Sequence, residues 1–410
     1  YYFFVGGDAG SYEIDVNFGQ KPFKFPPPDG FQPLNDANVR PETVIARPDQ
    51  FVGITTWRGN DTQRDIRTLN MKPDLVWIKQ RTGSANHSLM DTVRGATKNI
   101  VPNDTQSEGT ETGYLNAFID NGFSLGTSSI VNDASSDYVA WTWKAGGNKN
   151  TFNVDDVGYA SAAAAGITGL DGTGEMTTAK FLGCSIGTKQ GFSIIKYKGL
   201  GGGDVKVPHG LSQTPGMVIV KNIDSSVDWA ITHSGLPGNR SLRFTTANNT
   251  SSGFLGLNKG GLASTYFTIN YSDTNLKYVN ASNEDYIAYI WHNISGLQKF
   301  GSYIGNASTD GSFVELGFRP SIVLLKNATG STNNWMIIDS ERGKINVIDE
   351  LLFASSNGSE NTGTARLDFL SNGFKVRDSS GGFNESSQTI VYAAWAEAPT
   401  VNLYGAQSNA

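Results

Sequence analysis

Three short strings constrain the fold of this chain more than anything else in it: "KPDLVWIKQR" at 72–81, "TPGMVIVKNI" at 214–223 and "RPSIVLLKNA" at 319–328. Each sets a proline ahead of an apolar run that ends on a lysine. Proline has no N–H to give to a ladder, so within a sheet it sits at a strand start or edge. The runs "LVWI", "MVIV" and "IVLL" lack the alternation of a half-exposed strand. They predict strands covered on both faces, as in the core of a sandwich.

The surroundings of the three strings repeat as well. The copies open on "FVGITTWRGN", "FSIIKYKGLG" and "FGSYIGNAST". Beyond each proline lie His87, Trp229 and Trp335, in "NHSLMDT", "DWAITHS" and "NWMIIDS". Two copies then share "NGF" (121–123 and 372–374), where the second has "TYFTI". Each copy closes on an aromatic strand: "DYVAWTWKAG", "DYIAYIWHN" and "TIVYAAWAEAP". The closing Trp143, Trp291 and Trp395 fall 70, 76 and 75 residues after Pro73, Pro215 and Pro320. A unit of about 100 residues is the size of a small β-sandwich.

The expectation is therefore an all-β chain of serial β-sandwich domains. Repeat one covers 51–146, repeat two 191–297 and repeat three 298–399, with a tail at 400–410. Residues 147–190, rich in Gly, Ala and Thr, read as a linker or insertion. Residues 1–25 read as the last hairpin of another β domain, because Tyr12, Ile14, Val16 and Phe18 alternate with polar neighbours. Two strands alone are marginal, so the rest of that sheet is expected upstream, in a longer polypeptide. Residues 26–50, with "PPPDG" at their start, read as a stiff linker or a strap over a neighbouring domain.

Composition narrows the function classes. An aromatic content of 11% with 17% charged residues argues against disorder. The net charge of −6, without a Lys/Arg cluster, disfavours nucleic acid as a partner. The single cysteine, Cys184, excludes an internal disulfide framework and a Cys-based zinc site. His87, His209, His233 and His292 show no metal-ligand spacing. No apolar run approaches the length of a membrane span, so membrane insertion is not expected.

Several strings invite a chemical reading. "GCSIG" (183–187) matches G-x-S-x-G, but that motif needs a strand-to-helix elbow in a parallel sheet, which this chain does not predict. Asp155, Asp156, Asp171, Glu175, Asp339, Glu341, Asp349 and Glu350 offer many carboxylate pairs for a glycosidase, none singled out by sequence. "GLGGGD" (199–204) has no Lys-Ser/Thr after it and reads as a hairpin loop. "DGTGE" (171–175) and "NDASSD" (132–137) could hold a loop-bound Ca²⁺, although neither follows the EF-hand pattern. Trp229 and Trp335 occupy matching repeat positions, which suggests core. Trp57, whose repeat counterparts are Tyr197 and Tyr303, is the more open candidate for stacking on a sugar.

The run "VNFGQKPFKFPPPDGFQPLN" resembles the end of a concanavalin-A-like (SPRY-type) lectin module found in fibre proteins of marine tailed phages. "GFSIIKYKG…VPHGLSQTPGMVIVKN", "KFGSYIGNASTDGSFVELGFRPSIVLLKN", "LDFLSNGFKVRDSSGGFNESS" and "YAAWAEAP" resemble the repeated C-terminal module of the same proteins. The resemblance implies a virion structural protein, a tail or head fibre on the particle exterior, with a role in host attachment. It implies partners of three kinds: further copies of the chain, a trimer being usual for fibres, other virion proteins, and a host surface glycan or receptor. It supplies no catalytic residues and no cofactor, so the chain is expected not to be an enzyme. Two alternatives stay open: a virion-associated polysaccharide depolymerase, and a purely architectural decoration or connector protein.

Overall fold

The computed structural model describes residues 44–167, 180–236, 240–245, 257–269 and 276–398, and the backbone of 400–401 and 407–408. The hairpin expected at 1–25, residues 26–43 of the Pro-rich stretch, the loop 171–175 and most of the tail lie outside these residues. Within them the chain is all-β, and the described α-helices have only four residues each.

Three large antiparallel sheets share one strand order. In the first, the opening strand Val52–Arg58 pairs with the closing strand Asp137–Trp143. That strand pairs with the central strand Leu75–Gln80, which pairs with Ser88–Asp91. The second sheet runs Phe192–Lys198, Asp285–Trp291, Met217–Asn222, Ala230–His233. The third runs Gln298–Ile304, Thr389–Ala396, Pro320–Asn327, Met336–Asp339, with Leu352–Phe353 added at its edge. Beside each lies a three-stranded sheet, built around the hairpins Leu115–Ile119/Gly122–Leu125 and Leu367–Leu370/Gly373–Val376 in the first and third copies. The shared "NGF" strings form the turns of these hairpins. Asn121 sits there at φ +61°, a left-handed conformation that Asn tolerates better than most residues.

The continuous apolar runs now have a physical cause. On one face, Val76 and Ile78 pack with Phe123 and Leu125 of the small sheet of their own copy. Val218 and Val220, and Val323 and Leu325, do the same in the other copies. On the other face, Leu75, Trp77, Met217, Ile219, Ile322 and Leu324 belong to one core shared by all three copies. The all-β sandwich character expected from the sequence is present, and in addition the three copies brace one another, with Ile45–Ala410 forming one compact unit.

At the centre of the shared core, Trp143, Trp291 and Trp395 form a triangle. Their ring centroids are 6.2, 6.1 and 5.3 Å apart, with edges meeting faces. A second cluster gathers Trp77, Trp229 and Trp335 around Phe244 at 5.7, 5.7 and 5.2 Å. Edge-to-face aromatic pairs add about 0.5–1.5 kcal/mol each beyond the area they bury.

The seams between copies close in a ring. Asp91, His233 and Asp339 stand at matching register, opposite Leu75, Met217 and Ile322. Asp91 of the first copy accepts a bond from Tyr289 Oη of the second at 2.7 Å. His233 Nε2 of the second reaches the Tyr392 carbonyl of the third at 3.0 Å. Asp339 of the third accepts from Trp141 Nε1 of the first at 2.9 Å. Buried Arg94 and Arg342 pair with Asp91 and Asp339 at 2.6 Å, so two of the three seams carry a desolvated ion pair.

The described parts of residues 147–190, read from sequence as a linker or insertion, add strands to the second sheet. Phe181–Gly187 pairs with the opening strand of the second copy, and Phe152–Val154 and Val157–Tyr159 extend that sheet to seven strands. The strand "FLGCSIG" is buried along most of its length and made largely of small residues, so it shows no alternation. The turn Asp155-Asp156, at φ +49° and +65°, has the backbone signature of a two-residue hairpin. Ahead of the first copy, the N–H of Ile45 donates to the Ser295 carbonyl at 3.2 Å.

Candidate functional site

Trp57 is not an open platform. Its ring is 8% exposed, stacks on Tyr138 at 5.5 Å and meets Phe123 edge-on. Its Nε1 donates to the Val131 carbonyl at 3.1 Å. Its counterparts do the same work: Tyr197 Oη donates to Val279 O at 2.8 Å and Tyr303 Oη to Phe383 O at 2.7 Å. All three tie the opening strand to the short helix before the closing strand. A ring so covered offers no face to a sugar.

The repeat positions Trp229 and Trp335 are core and seam together. Trp229 Nε1 reaches Val101 O of the first copy at 3.2 Å, and Trp335 Nε1 reaches Arg243 O of the second at 2.7 Å. His87 holds the same position in the first copy and reaches Phe353 O of the third at 3.0 Å. The smaller His87 ring is matched by Trp77, which stands where the other copies have Ile219 and Leu324. Trp77 Nε1 donates to His87 Nδ1 at 2.8 Å.

The ionisable groups of the interior are fixed by structure. Because an indole N–H can only donate, His87 Nδ1 accepts and its proton lies on Nε2. His233 and His209 are held alike, accepting at Nδ1 from the N–H of Gly235 and Leu211 at 2.9 and 3.1 Å. Burial pushes His87 down to about 3, and His209 and His233 to about 4. The lysines that end the three repeated strings, Lys79, Lys221 and Lys326, are buried, and each ammonium donates to backbone carbonyls of the loop that follows. Burial pulls each of them down to about 8.

The remaining sequence candidates fall as follows. Ser185 of "GCSIG" lies buried in mid-strand, donating to Gly147 O at 2.8 Å, far from the elbow its motif requires. Cys184 is buried beside it, and burial pushes its thiol up to about 12. "GLGGGD" is the loop between Phe192–Lys198 and Val205–Pro208. In "NDASSD", Asn132 bonds Thr62 O and Gly126 O, and Asp133 bonds Ser135. Asp339 is committed to Arg342, and Glu341 pairs with Lys344 at 3.6 Å. Among the described residues, no group of three or more His, Cys, Asp or Glu is placed to hold a metal ion. No described helix is long and apolar enough to cross a membrane.

What the structure brings together instead is a pair of adjoining clefts. The larger, about 530 Å³, has Met71, Ala145 and Gln190 in its lining, with Phe51, Lys144 and Asp156 among its walls. Gln190 is fixed by bonds from its amide to the carbonyls of Lys144 and Ala145 at 3.2 and 2.6 Å. Lys144 pairs with Asp156 at 2.7 Å, and Asp155 is held by Thr188 Oγ1 at 2.6 Å. Lys189 sets its ammonium 5.5 Å from the centre of the Phe51 ring. The smaller cleft, about 280 Å³, lies on the seam of the first and third copies, where Thr68 meets Ser321, Ser340 and Glu397. Asn70 lines both, and its amide donates to Asp49 at 2.8 Å. In the sequence Asp155, Asp156 and Glu341 are carboxylates like many others, and the clefts are not legible there because their walls come from distant parts of the chain.

No curated protein and no solved structure matches this chain. A single family profile spans all three copies, from residue 47 to residue 399. The chain belongs to that family, a domain of unknown function designated DUF7483.

Proposed function

We propose that the protein is a non-enzymatic attachment module, a fibre component on the exterior of a phage particle that holds the particle to a host surface. The observation that supports this reading best is the shared core. Seven of the eight tryptophans lie in it, and the buried histidines and lysines serve as struts within and between copies. Such a body is suited to carrying load and presenting loops and clefts, which is where recognition sits on rigid β scaffolds. The resemblance to phage fibre proteins points the same way. Association with further copies of the chain and with other particle proteins belongs to the same proposal, since several weak sites acting together hold a surface far better than one.

The test incubates the full chain with bacterial cells and with extracted surface polysaccharide, reading bound protein and released reducing ends in parallel. Saturable binding without sugar release is the expected result. Release of reducing ends would replace this reading with a depolymerase. Neither signal, from protein of verified oligomeric state, would favour a purely architectural role.

A further inference from the structure

The two clefts adjoin at Asn70, and we propose that they act as one groove that binds a neutral, hydroxyl-rich oligosaccharide. The inference rests on the attachment reading and supplies its ligand class.

Ligand sites fall in the range of about 300–1,000 Å³, and the larger cleft, at about 530 Å³, lies within it. The smaller, at about 280 Å³, continues it past Asn70. A chain of sugar units suits two linked subsites better than one compact ligand does.

The Phe51 ring is half-buried against the shared core, so its position is fixed. Its electron-rich face already attracts the Lys189 ammonium, and the same face attracts the polarised C–H groups of a sugar ring. Lys189 is exposed and can swing aside. The cleft that holds the ring offers groups that match hydroxyls in both senses, carboxylates that accept and the amides of Gln50 and Asn70 that do both, and the smaller cleft adds the hydroxyls of Thr68 and Ser340.

Charge decides the class of sugar. Asp155, Asp156, Asp49, Glu341 and Glu397 line the two clefts, and four of the five already hold a cation: Lys144 on Asp156, Arg47 on Asp49, Lys344 on Glu341 and Arg319 on Glu397. With its charges so engaged, the lining suits neutral hexoses, whose hydroxyls donate to the paired carboxylates, better than a uronic-acid chain, which would bring further carboxylates to them.

The experiment measures binding of the full chain to short neutral glucan, mannan and galactan oligosaccharides, and to alginate and polygalacturonate fragments of similar length. Asn70→Trp and Phe51→Ala are tested beside the wild type, with cell adherence measured in parallel. Asn70 is exposed at the junction, so Asn70→Trp fills the groove without disturbing the core. The expected result is binding of at least one neutral series, no binding of the acidic fragments, and loss with Asn70→Trp. Phe51→Ala, checked for folding, should bind roughly tenfold more weakly, as expected for loss of one stacking contact. Cell adherence that survives Asn70→Trp and is not competed by any neutral series would overturn the groove and leave the attachment reading standing. Neutral sugar bound through the groove, by a protein that adheres to no cells, would do the reverse. Preference for the acidic fragments would overturn the proposed class.

Discussion

Trp141 Nε1 donates to Asp339 Oδ2 at 2.9 Å, joining residues 198 positions apart in sequence. The bond crosses the seam between the first and third copies, and the carboxylate that accepts it is also held by Arg342. Trp141 in turn lies under the Arg342 guanidinium, 5.5 Å from its ring centre. A desolvated ion pair capped by an indole is a junction whose parts depend on one another.

Removing one member should expose that dependence. Asp339→Ala leaves the buried Arg342 guanidinium without its nearest counter-charge, and losing one partner of a buried pair costs about 3–5 kcal/mol. Asp339→Ala is predicted to lower stability by that amount in urea unfolding. Combined with Trp141→Phe, it should cost less than the sum of the two single changes, because both break the same junction. Strict additivity would show that the seam is not a coupled unit.

Two classes of tryptophan stand out. Among the described residues the indole N–H groups of Trp143, Trp291 and Trp395 find no acceptor, so the triangle is held by ring contacts. Those of Trp141 and Trp335 bond across seams. A Trp→Phe change costs packing in both classes, but only in the second does it leave a buried acceptor with a lost bond, about 1–3 kcal/mol more. Trp335→Phe should therefore destabilise more than Trp395→Phe in the same denaturation assay. Equal losses would argue against the hydrogen-bond assignment.

Trp57 gives a sharper contrast. Trp57→Tyr keeps a donor at the ring tip, as Tyr197 and Tyr303 do at the matching positions. Trp57→Phe removes it and strands the Val131 carbonyl. Thermal melts should show the tyrosine variant closer to wild type than the phenylalanine variant, by about 1 kcal/mol.

Acid should weaken the seams. His87 and His233 are neutral in the fold, their Nδ1 atoms already accepting N–H bonds, so a proton added there would face a donor. Lys79 and Arg342 add positive charge around His87, while around His233 burial does the work. The unfolded chain takes up protons below about pH 6.5, whereas the folded histidines resist until about 3 and about 4. Between those limits the unfolded state binds more protons, so stability rises with pH and is lost on acidification. His233→Gln should flatten the profile between pH 6.5 and about 4; an unchanged slope would remove His233 from the account. The lysines act in the same sense in another window. Lys79, Lys221 and Lys326 ionise in the fold near pH 8 and in the unfolded chain near 10.4, so their contribution also rises with pH between those values.

Much of this architecture can be read from the residues. The strings around Pro73, Pro215 and Pro320 announce strands buried on both faces, and the closing tryptophans announce equivalent positions. What covers the second face cannot be read, because "LVWI" looks the same whether a small sheet or another copy lies against it. The triangle of Trp143, Trp291 and Trp395 is a fact about assembly, not about any one strand. Trp57 carried a usable signal: Tyr197 and Tyr303 share its place, and all three bear a donor at the ring tip. Phe181–Gly187 carried almost none, since Gly183, Cys184 and Ser185 give no pattern. The groove carried none, because its walls come from Phe51, Asn70 and Lys144 of the first copy, Lys189 ahead of the second and Ser321 of the third, which the fold alone brings to adjoining clefts.

The most direct test of that shared core is native-state hydrogen exchange on the full chain across a urea series. The closing strands Asp137–Trp143, Asp285–Trp291 and Thr389–Ala396 should lose protection together, with one common free energy and one denaturant slope, and Trp143→Ala should lower all three equally. Three separate opening energies, with Trp143→Ala affecting only the first strand, would mean that the copies are independent beads and that the account of a single braced body is wrong.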